Sequence, residues 1–420
     1  MAEKVGIYLF NKHIADLYQD GDRVYLRQID GLAHQASPLS IAKEMQEIET
    51  THLGFLEKVA GFISDSLPGI FGNEILNHFF LSQTDTYPTV TDKLLFIGDD
   101  GLGALSFKPI REFDANTQET LTLKEMFQEA KALKKGEEYH TLHSAFLVSA
   151  HSFVGGARSK AVAAININTQ EVYLGSRGSV APKGFMHAII KYDDTAGDNE
   201  NKSTYSKLEY VYCLLVKKAG IDMMPCYLLE SEDKHHFITK RFDRGENGER
   251  YHVHSLAGLL HVDYALPRVL GYEDLLRTAI KLNATHSLEQ LFLQMLFNYM
   301  FVNQDDHARN FSFMCDESFK WRATPAYDIT FSKGEKQTRE HQLSLYGKAL
   351  SQTTLEDVVT LATEFGISLE FVATALENMK ELREKDLPRL LVQYGVEKQK
   401  QKRVLEEVNK RDLQGELDVK

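Results

Sequence analysis

Apolar and polar residues alternate over positions 3 to 10 and 23 to 27, which predicts two short strands near the start of the chain. From Pro38 to about Asn77 the spacing is helical with turns, the most punctuated stretch being Asp65-Ser66-Leu67-Pro68-Gly69. Gly98-Asp99-Asp100-Gly101-Leu102-Gly103-Ala104-Leu105 reads as a tight glycine-rich bend leading into a strand. Residues 116 to 135 are polar and helical, and Lys134-Lys135-Gly136-Glu137 reads as a surface linker. A soft boundary is expected near residue 145.

Beyond it, Ala161 to Ile167, Glu171 to Leu174 and Ala188 to Lys191 have strand character. Leu208 to Ala219 is an amphipathic helix stopped by Gly220. Cys226 to Leu229 and His236 to Phe242 follow as strands. From Ser255 the pattern turns helical, with Leu288 to Val302 the strongest apolar helix. Short strands are expected at Asn310 to Met314 and Phe319 to Ala323. From about Thr354 the chain is helical and ends in a charged tail, Lys398 to Lys420, read as solvated or frayed. No internal repeat interrupts this order. The pattern predicts an α+β protein.

The chain has 420 residues, 43% of them hydrophobic and 26% charged, enough to bury a large core in two or three domains. Asp and Glu outnumber Lys and Arg by 60 to 48, a formal net charge of -12. Such a chain repels nucleic acid unless it segregates a basic patch, so any DNA contact is expected to be lent by a partner. Cys213, Cys226 and Cys315 form no CxxC and are expected to carry no disulfide framework, as in a reducing cytosol. No stretch has the length of a membrane span and the N-terminus lacks a signal-peptide pattern, so a cytoplasmic protein without membrane contact is expected.

The candidate chemistry begins at Asn303-Gln304-Asp305-Asp306-His307-Ala308-Arg309-Asn310, between the apolar helix and a strand. Asp305 and Asn310 have the spacing D-x-x-x-x-N. In protein kinases that spacing lets the Asp take a hydroxyl proton while the Asn reaches a metal. A hairpin of the next two strands would bring Asp328, in Thr324-Pro325-Ala326-Tyr327-Asp328, beside Asn310. Asp and Asn converging in this way suit Mg²⁺ held against phosphate oxygens. The spacing alone equally suits a polar turn, and His307 alone equally suits a structural histidine.

Two upstream segments weigh toward phosphate chemistry. Ser152-Phe153-Val154-Gly155-Gly156-Ala157-Arg158-Ser159-Lys160 has paired glycines that let backbone N–H groups approach an anion, though a simple turn would use them too. Ala188-Ile189-Ile190-Lys191 ends an apolar strand on a lysine, and Glu209 on the next helix is placed to pair with it. A hydrolase reading of Asp305, Asp306 and His307 lacks further ligands at set spacing. His235-His236 do not supply them, and His252 and His254 sit in a strand-like stretch read as surface.

Over nearly its full length the chain resembles the HipA family of bacterial toxin-antitoxin kinases. The resemblance rests on Asp65-Ser66-Leu67-Pro68, the Gly98 to Phe107 segment, Val154 to Lys160, Ile190-Lys191, Arg241-Phe242-Asp243-Arg244, Asp305 to Asn310 and Pro325 to Asp328, in family order. It implies a two-lobed, protein-kinase-like fold with an additional N-terminal subdomain and a helical C-terminal lobe. The expected divisions are 1–145 for the subdomain, 146–243 for the small lobe and 244–420 for the large one. It implies a serine/threonine protein kinase using ATP and Mg²⁺. Asp305 becomes the catalytic base, Asn310 and Asp328 the metal ligands, and Lys191 the phosphate-binding lysine. Gly155, Gly156, Ala157 and Arg158 form the nucleotide loop, His307 and Tyr327 line the nucleotide site, and Lys240, Arg241 and Phe242 fall at the adenine hinge.

The implied partner is a small helix-turn-helix antitoxin of the HipB type that neutralises the kinase and supplies its only DNA contact. Implied substrates are translation components such as an aminoacyl-tRNA synthetase. The sequence departs from the family in two places. Phe153 stands where many members carry an autophosphorylated serine, leaving Ser152 beside it as the substitute. Phe71-Gly72 replaces Trp-Gly, a packing change. The alternative is a catalytically weak or inactive kinase fold serving as a binding module for its antitoxin. A kinase of a small molecule or lipid is a third class.

Overall fold

The structure is a computed structural model that describes residues 4–109, 120–135, 143–152, 158–175, 180–193, 204–231, 233–335 and 337–413. The chain opens with strands β1 (Val5–Leu9), β2 (Lys12–Asp20), β3 (Arg23–Gln28) and β4 (Glu47–Glu49), joined later by β5 (Leu105–Lys108). They form an antiparallel sheet in the order β4-β3-β2-β1-β5. Alternation marks β1 well, since every second residue is buried. It fails for β2, where Asp16 is buried against Lys4 and His13 in the middle of the strand. The helices Ile70–Thr84 and Val90–Ile97 pack into the same core.

A second sheet consists of β6 (Thr120–Thr122), β7 (Lys160–Ile165), β8 (Glu171–Tyr173), β9 (Met186–Lys191), β10 (Cys226–Ser231) and β11 (Lys234–Lys240). Its order is β10-β11-β9-β7-β8-β6. The register sets Lys191 opposite Lys160 on one side and Phe237 on the other. The helix Thr204–Lys218 follows and packs on β11, and Gly220 takes the left-handed conformation just past its end at φ 82°. Cys213 on this helix is disulfide-bonded to Cys226 on β10, contrary to the expectation of no disulfide, and Cys315 is free and buried. Spacing in sequence gave no hint of a bond made by folding a helix back across a sheet.

The helix His143–Ser152 runs through the expected boundary near residue 145 and packs on both the Ile70–Thr84 helix and β7. The rest of the chain is mainly helical. Leu288–Met300, in which apolar residues predominate, is buried at every position but Glu289 and Gln290. β12 (His252–Ser255), β13 (Ser312–Cys315) and β14 (Arg322–Ala323) make a small antiparallel sheet. The charged tail is not solvated throughout. Lys398–Val408 is a helix that buries Val404 and Val408. Two hydrophobic cores result, one drawn from residues 5–192 with Ile238 and one from 208–408. Among the described residues no helix is long and apolar enough to cross a membrane.

His252 and His254 are fully buried, which corrects their reading as surface residues. The His252 ring bonds the Ala36 carbonyl at 2.8 Å, and burial pushes its pKa down to about 4. The His254 ring lies between Ser37 Oγ at 2.8 Å and Asp65 Oδ2 at 2.6 Å. An alternating strand looks half-exposed in sequence, but here both faces of β12 are covered by segments that are distant in the chain.

Candidate functional site

The apolar helix Leu288–Met300 carries the chain to Val302, where a left-handed residue (φ 57°) turns it out of the helix. Asp305 comes next, held from behind. Gln304 N donates to Ser332 O at 2.9 Å, and Ser332 N donates to Val302 O at 3.0 Å. Asn310 closes the loop by donating its side-chain amide to Asp305 O at 2.7 Å. That bond fixes the amide nitrogen and leaves the amide oxygen available as a ligand. The β13–β14 hairpin then returns the chain. Tyr327 Oη donates to Arg309 O at 2.7 Å and accepts from Ser312 Oγ at 2.6 Å. The next residue, Asp328, takes a left-handed conformation at φ 55°, which a non-glycine residue adopts only where its surroundings hold it.

Asp328 meets the six-stranded sheet at Lys191. Lys191 Nζ donates to Asp328 Oδ1 at 2.5 Å and to Glu209 Oε1 at 2.5 Å. Burial by itself would pull the lysine pKa down, but the two carboxylates outweigh it and hold the ammonium above its ordinary range. Lys191, chiefly, and then Lys160 hold the Asp328 carboxyl well below the usual carboxylate range against burial. Lys160, nine-tenths buried and facing Lys191 across the register, is pushed down to about 8 by desolvation despite Asp328.

Asp305 behaves oppositely. Desolvation raises its carboxyl pKa, and the charges of Asp328 and Asp306 add to that, against the lowering effects of His307 and Arg158. Two aspartates facing one cleft are thus driven apart in proton affinity, a pattern typical of acid–base sites.

The remaining expected residues distribute unevenly. His307 Nε2 lies 3.9 Å from Asp305 Oδ1, its ring contacts Tyr264 with centroids 5.2 Å apart, and its buried Nδ1 has no hydrogen-bond partner among the described residues. Arg158 stacks on Tyr205 at 4.1 Å and is electrostatically coupled to both Asp305 and Asp328. The Phe242 ring stands 5.8 Å from the Tyr327 ring. Lys240 reaches Glu246 at 3.4 Å. Phe153, Val154, Gly155, Gly156 and Ala157 lie outside the described residues.

Arg241 does not present its side chain to the cleft. It is fully buried and forked onto Asp243 at 2.8 and 2.7 Å, with a further bond to Gly101 O at 3.2 Å. Ser152 is also turned inward. It is fully buried, and its hydroxyl donates to Val148 O at 2.5 Å, the back-bond common for serine in a helix. Phosphate could reach that hydroxyl only if the helix end unwound, which speaks against Ser152 as an acceptor in this conformation.

Several residues that hold the site were given no structural role from sequence. Asp306 is not a metal ligand but a fully buried anchor. It accepts from Tyr272 Oη at 2.6 Å, His341 Nδ1 at 2.9 Å and Gln342 N at 2.7 Å. Arg309 stacks on Tyr264 at 4.8 Å and donates to Ser64 Oγ at 2.9 Å. Beside Ser64, Asp65 accepts from Ser255 N at 2.7 Å, Ser255 Oγ at 2.6 Å and His254. The sequence signal for them was that Asp65, Asp306 and Arg309 lie within the stretches that carry the family resemblance.

The same architecture recurs in HipA from the complex of HipA, HipB and operator DNA of the Shewanella oneidensis MR-1 toxin-antitoxin system. The likeness has a TM-score of 0.64 at 14% identity and covers 97% of this chain and 95% of that one. At that identity it establishes the fold. The family model of the HipA-like C-terminal domain matches residues 152–386. The chain belongs to this family. A Haemophilus influenzae protein named "Putative kinase" is 24% identical over 135 residues, and this HipA-like chain spans 39% of its length. The family match includes Lys191, Asp305, Asn310 and Asp328. It stops short of the C-terminal helix and leaves out the N-terminal sheet.

Proposed function

We propose that this HipA-like chain is a serine/threonine protein kinase that uses ATP and Mg²⁺. The observation that carries the reading is the Lys191 ammonium clasped between Glu209 and Asp328, across the cleft from Asp305 and Asn310. A lysine kept charged by two carboxylates is a standing partner for phosphate oxygens. Asp328, held ionised, and the Asn310 amide oxygen fit a magnesium ion. Among the described residues no cluster of three or more His, Cys, Asp or Glu side chains could hold a metal, which suits an ion completed by substrate phosphates and water. When bound, ATP supplies the phosphoryl group and Mg²⁺ balances its charge.

The protein's own work is then to orient and to accept a proton. Asp305 takes the proton of an incoming hydroxyl, and its raised pKa brings it closer to the working pH of a general base. Asn310 fixes the Asp305 backbone, while Asp306 and Arg309 anchor the loop to residues 341–342 and to Ser64. The purified protein should transfer label from γ-labelled ATP to protein in a lysate. Asp305→Asn should lower that rate by about 10²–10⁴-fold while leaving ATP binding intact. Full activity in the variant would remove Asp305 from the role of base.

By its fold the chain also matches the HipA that assembles with HipB and operator DNA, and we extend that arrangement to it. A helix-turn-helix partner would restrain the kinase and carry DNA binding for an acidic chain. The substrate class we favour is a translation component such as an aminoacyl-tRNA synthetase.

One observation favours a second reading. Asp328 Oδ1 already binds Lys191, so a metal that requires both carboxylate oxygens must displace that bond. A chain in which the bond never yields would be a kinase-fold binding module for its partner. Retained partner binding with no label transfer and no response to ATP and Mg²⁺ would select it.

A further inference from the structure

Behind the loop that carries Asp305 lies a cleft of about 280 Å³, lined by Gln304, Lys333, Arg339, Glu340, Ser351, Glu407, Lys410 and Arg411. Four cations from two distant segments converge there with only two carboxylates, in a chain whose net charge is -12. Glu407 is shared by Lys333 at 2.5 Å and Lys410 at 2.7 Å. Glu340 is engaged by the Ser351 hydroxyl and by His341 N at 2.8 Å. Arg339 has no hydrogen-bond or ion-pair partner among the described residues. The cleft is therefore short of negative charge.

A blander account would assign Lys410 and Arg411 to the carbonyl end of the helix Lys398–Val408, where cations are commonly found. It does not explain Lys333 and Arg339, which come from the segment after Asp328. Nor does it explain the floor of the cleft. With its amide oriented to satisfy both contacts, Gln304 donates to Thr338 O at 2.9 Å and accepts from Arg411 Nη2 at 3.0 Å. Arg411 also stacks on Tyr299 at 5.6 Å and reaches Ser351 O at 3.4 Å. Two guanidinium groups and two ammonium groups around a concave polar floor match the oxygens of a tetrahedral dianion.

We propose that this cleft binds a phosphate-class dianion, either free phosphate or a phosphoryl group on a side chain of this protein. The site is separate from the nucleotide cleft and does not depend on the kinase reading. Because Gln304 precedes Asp305, an occupant drawing on Arg411 would bear on the loop that carries Asp305.

The test is calorimetric titration of the full chain, shown unmodified by intact mass, with inorganic phosphate at constant ionic strength against chloride. Lys191→Met serves to remove the cation of the nucleotide cleft. One phosphate site should appear in the wild type and persist in Lys191→Met. It should weaken about tenfold or more in Arg339→Gln/Lys410→Gln, since both replaced side chains are exposed and each offers a charged hydrogen bond. Arg339→Glu alone should weaken it further than Arg339→Gln. A second arm incubates the chain with ATP and Mg²⁺ and maps phosphate by mass spectrometry. Phosphate found on Ser351 or Thr338, together with loss of the titratable site, identifies the protein's own side chain as the source. Free phosphate binding without modification identifies the ion. Absence of any phosphate site in the wild type, its loss in Lys191→Met, or unchanged affinity in Arg339→Gln/Lys410→Gln would overturn the proposal.

Discussion

Two aspartates in one cleft carry opposite electrostatic burdens. Asp305 is raised by desolvation and by its acidic neighbours, whereas Asp328 is lowered chiefly by Lys191. If Asp305 is the base proposed above, the acid limb of a pH–rate profile should therefore lie above the ordinary aspartate range, because that role needs Asp305 ionised. The residual rate of Asp305→Asn should lack that limb, as steady-state rates across pH would show. Asp328 acts on stability instead. Its folded pKa lies below its unfolded value near ~3.9, so its contribution is complete above that value and is lost as pH falls toward the folded pKa. The difference in melting temperature between wild type and Asp328→Asn should shrink as pH drops below about 4. A difference that grew on acidification would contradict the Lys191 pairing.

At the scale of elements, the glycine-rich bend from Gly98 to Leu105 is a fastening to Asp243 and Arg244. Gly103 N donates to Asp243 Oδ2 at 2.6 Å, and Arg244 donates to Gly101 O at 2.9 Å and Gly103 O at 2.8 Å. Gly103 sits at φ 77°, which favours glycine. Burial would raise the Asp243 carboxyl, but Arg241 and Arg244 overcome it and hold it well below the usual range. Removing the shared carboxylate leaves two buried guanidinium groups uncompensated. Asp243→Ala should cost about 3–5 kcal/mol in urea unfolding, and a loss below 1 kcal/mol would show that water enters the knot. A second fastening joins the short helix Gly61–Ser64 to Leu256–Leu260. A Cβ on Gly61 would lie 2.0 Å from Gly258 O, so the two backbones would have to part. Gly61→Ala should destabilise by about 1–3 kcal/mol, read by the same unfolding curves.

For the whole molecule, the kinase reading predicts linkage to nucleotide. ATP with Mg²⁺ at about 100 times its dissociation constant should stabilise the folded chain by ~2.7 kcal/mol. Lys191→Met should lose most of that shift in thermal melts. Net charge makes a separate prediction. At -12 the chain alone should not retard operator DNA at physiological salt, whereas a complex with a basic helix-turn-helix partner should, in a gel-shift assay. Retardation by the chain alone would locate a basic DNA-binding surface on this protein.

Local order was legible in the sequence wherever one physical requirement ruled a short stretch. The strongly apolar helix Leu288–Met300, the hairpin after Asn310, the strand ending at Lys191 and the stop at Gly220 all follow from periodicity or backbone freedom. The order of lysine, Asp305, Asn310 and Asp328 was likewise visible, because each sits at the end of such an element. What a side chain meets across the fold was not. The burial of His252 and His254, the Cys213–Cys226 bond and the anchoring of Asp306 depend on partners outside their own segments, and even the inward turn of Arg241 onto Asp243 and Gly101 and of Ser152 onto Val148 is decided by what packs around them. Polarity tells that such a group needs a partner, and only packing decides whether that partner is water, a ligand or another part of the chain. The motif residues were therefore named by the sequence, but the clasp of Lys191 between Glu209 and Asp328 exists only because the six-stranded sheet packs onto the end of the hairpin.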